Sequence, residues 1–189
     1  KMLSLGYNSV RLKEKKYSAK RLKKLGFGAK YLFRLGFSAT DLKNAKFTLK
    51  EIKTAGYSAR ELKEAGYSAK ELLNAKFSED VIAYAKYDAR ELHALGFPVK
   101  KLKIAGYSAM DLLDAGYNID ELKKVFTVKE LCDVGYSLLD LIDKEKIDIN
   151  KLLEDGITVF DLLREGFRIK ELAKIGVTVA QFRDAGISA

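Results

Sequence analysis

The chain has 189 residues, 48% of them hydrophobic and 32% charged, with a net charge of +9, the balance of a folded chain rather than a disordered one. No apolar run approaches the roughly 18 residues that a transmembrane helix needs, and no signal peptide is visible. The single cysteine excludes an internal disulfide framework and, with the lack of a visible signal peptide, favours an intracellular setting.

From Gly6 to Gly186 one ten-residue unit recurs, clearest at Gly66-Tyr67-Ser68-Ala69-Lys70-Glu71-Leu72. Ser68 suits a helix N-cap, and Glu71, three residues on, can reach back to the Ser68 N–H as in a capping box. The same pairing recurs at Thr48/Glu51, Ser58/Glu61, Asp88/Glu91, Ser108/Asp111, Asn118/Glu121, Thr127/Glu130 and Ser137/Asp140. Gly66 falls where a helix must turn left-handed to stop. Tyr67 then follows one helix and precedes the next, so one aromatic can clasp Leu62 and Leu72.

Each unit leaves about six helical residues, a segment of about 9 Å that is too short to hold itself in water. Its apolar stripe closes a core only when copies stack. The spacing therefore predicts an all-α solenoid, a superhelix of about 18 short helices with one two-turn helix per repeat. Residues 1–189 read as a single elongated repeat domain. The array begins at Lys1 and stops at Gly186-Ile187-Ser188-Ala189 in mid-repeat, as expected of a piece of a longer array.

In chain order, the clasp position holds Tyr7, Tyr17, Phe27, Phe37, Phe47, Tyr57, Tyr67 and their successors to Ile187, and the core position holds Leu12, Leu22, Leu32, Leu42, Ile52 and onward to Phe182. No polar residue enters the core column. Two spacings slip: Tyr117 to Phe126 is one residue short and Tyr136 to Ile147 one long. The first reads as loss of the glycine stop before Phe126 and the second as an insertion near Lys144-Glu145. Pro98 takes an N-cap slot, where its missing N–H costs little. Gly28 and Arg168 are the other non-standard caps, and their helices should start less firmly. Lysine replaces the stop glycine at Lys16, Lys46, Lys76, Lys86 and Lys146, so these corners are expected to relax differently. Lys16, Lys46 and Lys76 share a thirty-residue phase with one another, as do Leu5, Leu35, Leu95 and Val125. That phase favours three helices per superhelical turn over hairpins with a twenty-residue period.

Residues 1–60 hold 16 of the 35 Lys and Arg but only 3 of the 26 Asp and Glu. Pairs such as Lys20/Lys23, Lys50/Lys53, Arg60/Lys63 and Lys100/Lys103 put cations three apart on one helical face. Candidate anion-binding residues are Lys13, Lys20, Arg21, Lys23, Lys24, Lys30, Arg34, Lys50, Lys53, Arg60 and Lys63. They form either a phosphate-tracking surface for RNA, DNA or another polyanion, or a solvated face that keeps the array in solution. Toward the other end, the residue after the core leucine turns apolar. Leu113, Ile142, Leu153 and Leu163 are then either thicker packing or a surface for a protein partner or self-association.

Nothing in the pattern proposes a reaction. His93 and Cys132 are each single, whereas a zinc site needs about four ligands. The glycines stand singly at helix ends, not in a phosphate loop. No enzyme activity, cofactor or metal is expected. The units, such as AGYSARELKEAGYSAKELLNAKFS over 55–78, resemble the short tandem α-helical repeats of large, largely uncharacterised repeat proteins. By analogy of architecture the resemblance implies a non-enzymatic scaffold or protein-binding surface. The alternatives are polyanion binding by the basic N-terminal third and self-assembly.

Overall fold

A short polar side chain stands before most of the helical segments, and its oxygen takes a backbone N–H that the first turn leaves without a partner. The structure, a computed structural model, describes residues 17–143, 148–174 and 176–187, with 17 short helices and no strand among them. The chain divides into two compact units, Lys1–Gly106 and Tyr107–Ala189. The first contains α1 (Ala19–Lys24), α2 (Ala29–Arg34), α3 (Ala39–Asn44), α4 (Leu49–Ala55), α5 (Ala59–Glu64), α6 (Ala69–Asn74), α7 (Glu79–Tyr84), α8 (Ala89–Ala94) and α9 (Val99–Ile104). The second contains α10 (Ala109–Asp114), α11 (Ile119–Leu122), α12 (Val128–Asp133), α13 (Leu138–Asp143), α14 (Ile149–Glu154), α15 (Val159–Arg164), α16 (Ile169–Lys174) and α17 (Val179–Asp184). The architecture is an all-α solenoid of tandem helical repeats.

Capping boxes close α3, α4, α5, α6, α10, α11, α12, α15 and α17 at their N-termini. At Ser68 the hydroxyl accepts from the Glu71 N–H at 3.2 Å, and the Glu71 carboxylate accepts from the Ser68 N–H at 2.8 Å. Gly28 and Pro98 offer no side-chain cap. Arg168 has its N–H taken by Glu171 at 2.9 Å. At the other end, α5 stops at Gly66, φ 76°, with the Gly66 N–H on the Lys63 carbonyl (2.8 Å) and the Tyr67 N–H on the Leu62 carbonyl (3.0 Å). This pair of bonds is a Schellman turn, and it recurs at most corners.

Three lysine corners do not relax. Lys46, Lys76 and Lys86 turn left-handed at φ 64°, 62° and 60°, as glycine does elsewhere; Lys16 and Lys146 lie outside the described residues. The turn bonds impose that conformation although a Cβ there costs about 1 kcal/mol or more. Lys76→Gly is therefore expected to raise the unfolding free energy by about 1 kcal/mol, read by urea unfolding. Lys86→Gly should give less, because the Lys86 Nζ donates to the Gly106 carbonyl at 2.7 Å. A Lys76→Gly variant less stable than the parent would contradict the strain account.

The core is the leucine column. Leu22, Leu32, Leu42, Ile52, Leu62, Leu72, Ile82, Leu92 and Leu102 are fully buried in the first unit, and so are Leu112, Leu122, Leu131, Leu141, Leu152, Leu162 and Leu172 in the second. Alanines at the first helical position, such as Ala19, Ala39, Ala59 and Ala69, fill the gaps between them. Packing follows twenty residues, not the thirty-residue phase. Helix α1 packs on α3, α3 on α5, α5 on α7 and α7 on α9, while α2 packs on α4; in the second unit α15 packs on α17. In the first unit the helices thus rest chiefly on those two repeats away, with adjacent contacts of α3 on α4 and α6 on α7 beside them; in the second unit α12 also packs on the adjacent α13. Tyrosine hydroxyls mark the register: Tyr57 donates to the Phe37 carbonyl, and Tyr87 to the Tyr67 carbonyl at 2.7 Å.

The short spacing before Phe126 is a local distortion. Helix α11 stops after four residues, and the Phe126 N–H returns to the Leu122 carbonyl at 2.8 Å without a glycine corner. The expected insertion near Lys144-Glu145 lies outside the described residues.

Candidate functional site

The residue after each core leucine occupies the most informative position in the repeat. At Lys23, Lys43, Lys53 and Lys63 the ammonium leaves its own helix and reaches the end of the helix two repeats on, whereas Lys123 in the same slot pairs with Asp120 at 2.6 Å. Lys43 Nζ donates to the Ala65 and Gly66 carbonyls at 2.9 and 2.8 Å. Lys53 Nζ donates to the Ala75 and Lys76 carbonyls, both at 2.8 Å. Lys23 donates to the Lys46 carbonyl at 2.5 Å, and Lys63 to the Lys86 carbonyl. These carbonyls belong to the helix ends and corners that carry partial negative charge, so a cation there is favoured twice, by charge-assisted bonds and by the dipole.

Each ammonium also lies over the clasp ring of that corner. The distances to the ring centre are 4.4 Å for Lys23 and Phe47, 4.1 Å for Lys43 and Tyr67, 4.5 Å for Lys53 and Phe77, and 5.6 Å for Lys63 and Tyr87. This is cation–π geometry. Phe33 fills the same slot by different chemistry: its ring meets Tyr57 edge-on at 4.8 Å and would touch a Cβ on Gly56 at 3.4 Å. The slot is a tether between alternate repeats.

Carboxylates tie in the opposite direction. Glu91 accepts from the Ala69 N–H at 2.6 Å, at the start of α6. Asp88 caps α8 alone, accepting from Arg90 and Glu91 N–H, so the Asp88/Glu91 pair is not a capping box. In the second unit Asp155 accepts from the Val128 N–H at 2.9 Å while holding Lys151 at 2.7 Å.

The candidate anion-binding residues therefore separate. Lys23, Lys53 and Lys63 are half-buried, and backbone carbonyls two repeats on accept from their ammoniums. Lys20, Arg21, Lys24, Lys30, Arg34, Lys50 and Arg60 are exposed, Arg21 lying over the Tyr17 ring at 4.8 Å. Lys13 lies outside the described residues. Lys70 and Arg90, which are not among the candidate anion-binding residues, share the second helical position with Lys30 and Lys50 and are exposed as well. The signal was present at twenty-residue spacing.

Leu113, Ile142, Leu153 and Leu163 stand in the tether slot and are half-buried. Cys132 stands there too, sharing a groove with Gly156 and Ile157 of the corner two repeats later, and burial pushes its thiol upward. The fully presented apolar side chains are others: Tyr84, Ile104, Phe160 and Val179 are 58, 62, 57 and 66% exposed.

Titration shifts have structural causes. Hydrogen bonds from the Thr48 backbone and hydroxyl hold Glu51 below the usual carboxylate range, and the Thr158 hydroxyl does the same for Asp161. Burial, then a nearby glutamate, pushes the Tyr57, Tyr87 and Tyr117 hydroxyls up to about 12 from 10.0. Between those values the folded chain keeps protons that the unfolded chain has lost. The tyrosine contribution to stability is full below pH 10 and is expected to fall as pH rises toward 12, by about 1 kcal/mol per tyrosine after allowance for solvent screening. Urea unfolding across that range should show a shallower pH dependence for Tyr57→Phe/Tyr87→Phe, and an unchanged slope would refute the assignment.

Among the described residues no three His, Cys, Asp or Glu side chains gather as metal ligands, and no helix is long and apolar enough to cross a membrane. Comparison with curated proteins and with solved structures gives no match. The family model described as decapeptide repeat region matches residues 6–79, 56–125 and 80–145. These overlapping matches cover residues 6–145, most of the chain, and the chain belongs to the decapeptide repeat family.

Proposed function

We propose that the chain is a non-enzymatic scaffold whose exposed positions between the caps present a surface to a protein partner. The observation that carries this reading is how the repeat uses its side chains. Caps, clasp, core leucine and tether are engaged within the array, so the recurring residues are accounted for by folding alone. The positions left outward vary in chemistry from repeat to repeat, and large apolar side chains stand there in both units, Tyr84 and Ile104 in the first and Phe160 and Val179 in the second. Exposed apolar groups on a rigid frame are what a protein partner recognises.

The test compares the chain with Tyr84→Ser/Ile104→Ser and Phe160→Ser/Val179→Ser as baits. A protein held by the parent and lost by one of the double variants, with Tm unchanged, is the expected result. Retention of every partner by both variants would reject the outward apolar side chains as its surface.

A further inference from the structure

Twenty-residue stacking creates one row that the linear sequence conceals. Lys30, Lys50, Lys70 and Arg90 occupy the same second position of α2, α4, α6 and α8, and all four are exposed. These helices follow one another in a stack: α2 packs on α4, Lys53 of α4 reaches the end of α6, and Glu91 of α8 caps the start of α6. At about 10 Å per packed helix, four cations extend over about 30 Å. The equivalent row on the other stack is Lys20, Thr40, Arg60, Asp80 and Lys100, broken by a neutral and an acidic residue.

The acids beside the row are held by backbone N–H groups at the helix starts. Glu51 and Glu71 fold back onto the Thr48 and Ser68 N–H groups, and Glu91 onto the Ala69 N–H. Lys30, Lys50 and Lys70 form no ion pair with another described residue. We propose that this row is a binding site for the phosphodiester backbone of a nucleic acid, DNA or RNA, tracked without base readout. Duplex charge recurs about every 1.7 Å, so cations about 10 Å apart always find a phosphate, whatever the sequence. The aromatic rings that precede three of the row's helices, Phe47, Tyr67 and Tyr87, are buried in the clasp; Phe27, Tyr31 and Phe33 around Lys30 are more open, so stacking on bases, the usual companion of base preference on single strands, is confined to one end of the row. A membrane surface is disfavoured because the row carries no apolar side chain to insert.

This goes beyond the scaffold reading. The experiment is fluorescence anisotropy of the whole chain with mixed-sequence single-stranded DNA, RNA of the same sequence and duplex DNA, over a salt series. Four phosphate contacts predict a slope of log K against log salt of about −3 on single strands and about −4 on duplex. Lys30→Ser/Lys50→Ser/Lys70→Ser should bring the slope to about −1 and weaken binding at least about tenfold. Lys20→Ser/Arg60→Ser/Lys100→Ser, which removes the same charge from the other stack, should leave most of the affinity. Circular dichroism must show both variants folded. Equal losses in the two triple variants would reduce the effect to net charge and overturn the site. So would no binding at low salt, a preference of more than about tenfold between DNA and RNA, or equal binding to phosphatidylserine–phosphatidylcholine vesicles or polyglutamate.

Discussion

Leu72→Ala is expected to lower the unfolding free energy by about 2–5 kcal/mol. Leu72 is fully buried in a column where every repeat contributes one large side chain. A six-residue helix has no stability of its own to fall back on, and each repeat is held chiefly by its neighbours. The void left by three missing carbons must therefore be absorbed where neighbouring repeats meet. Urea unfolding followed by circular dichroism measures the loss, with exposed Asn74→Ala as the reference, expected within about 0.5 kcal/mol of the parent. A Leu72→Ala loss below about 1 kcal/mol would show that the column tolerates truncation and that the caps carry the stability instead.

Lys43→Met is expected to cost about 1–3 kcal/mol. Methionine keeps the apolar stem but removes the ammonium, which leaves the Ala65 and Gly66 carbonyls without their donor and the Tyr67 ring without its cation. The effect should appear at a distance along the chain. Amide exchange is expected to quicken at Gly66 and Tyr67, whose N–H groups close the α5 corner, more than in α3, where the substitution lies. Lys70→Met, at an exposed position outside the slot, should change stability by less than about 0.5 kcal/mol. If both lysines behave alike, the tether contributes nothing beyond surface charge.

The local design of each repeat is readable in one dimension because its parts lie within a few residues of each other. Ser68 and Glu71 find one another across a single turn, and Gly66 stops a helix by its own backbone freedom. The lysine corners show the limit of that reading. Relaxation was the expectation at Lys46, Lys76 and Lys86, yet all three are left-handed, with both Schellman bonds formed at Lys46 and Lys76 and the Lys86 N–H on the Ala83 carbonyl.

The tether could not be read the same way. Lys23, Lys53 and Lys63 resemble Lys20, Lys50 and Arg60 in sequence, three residues apart on one helix, and only the helix two repeats later tells them apart. The apolar residues Leu113, Ile142, Leu153 and Leu163, which looked like a widening face, occupy that same slot half-buried. Both facts depend on what stands opposite, and that depends on the stacking period. The thirty-residue phase of Lys16, Lys46 and Lys76 suggested three helices per turn, while the hydroxyls of Tyr57 and Tyr87 place the true neighbour at twenty.

By itself the sequence determined the repeat length, the helix boundaries, the buried leucine column and the absence of a recognisable catalytic motif, because short-range capping and a strict period specify them. Only the tertiary structure decided which repeat rests on which. That choice turns one set of lysines into tethers and aligns another, Lys30, Lys50, Lys70 and Arg90, into a row. The physical reason is that a ten-residue unit cannot close its own core, so its long side chains acquire a role only when the next copy of the stack is in place.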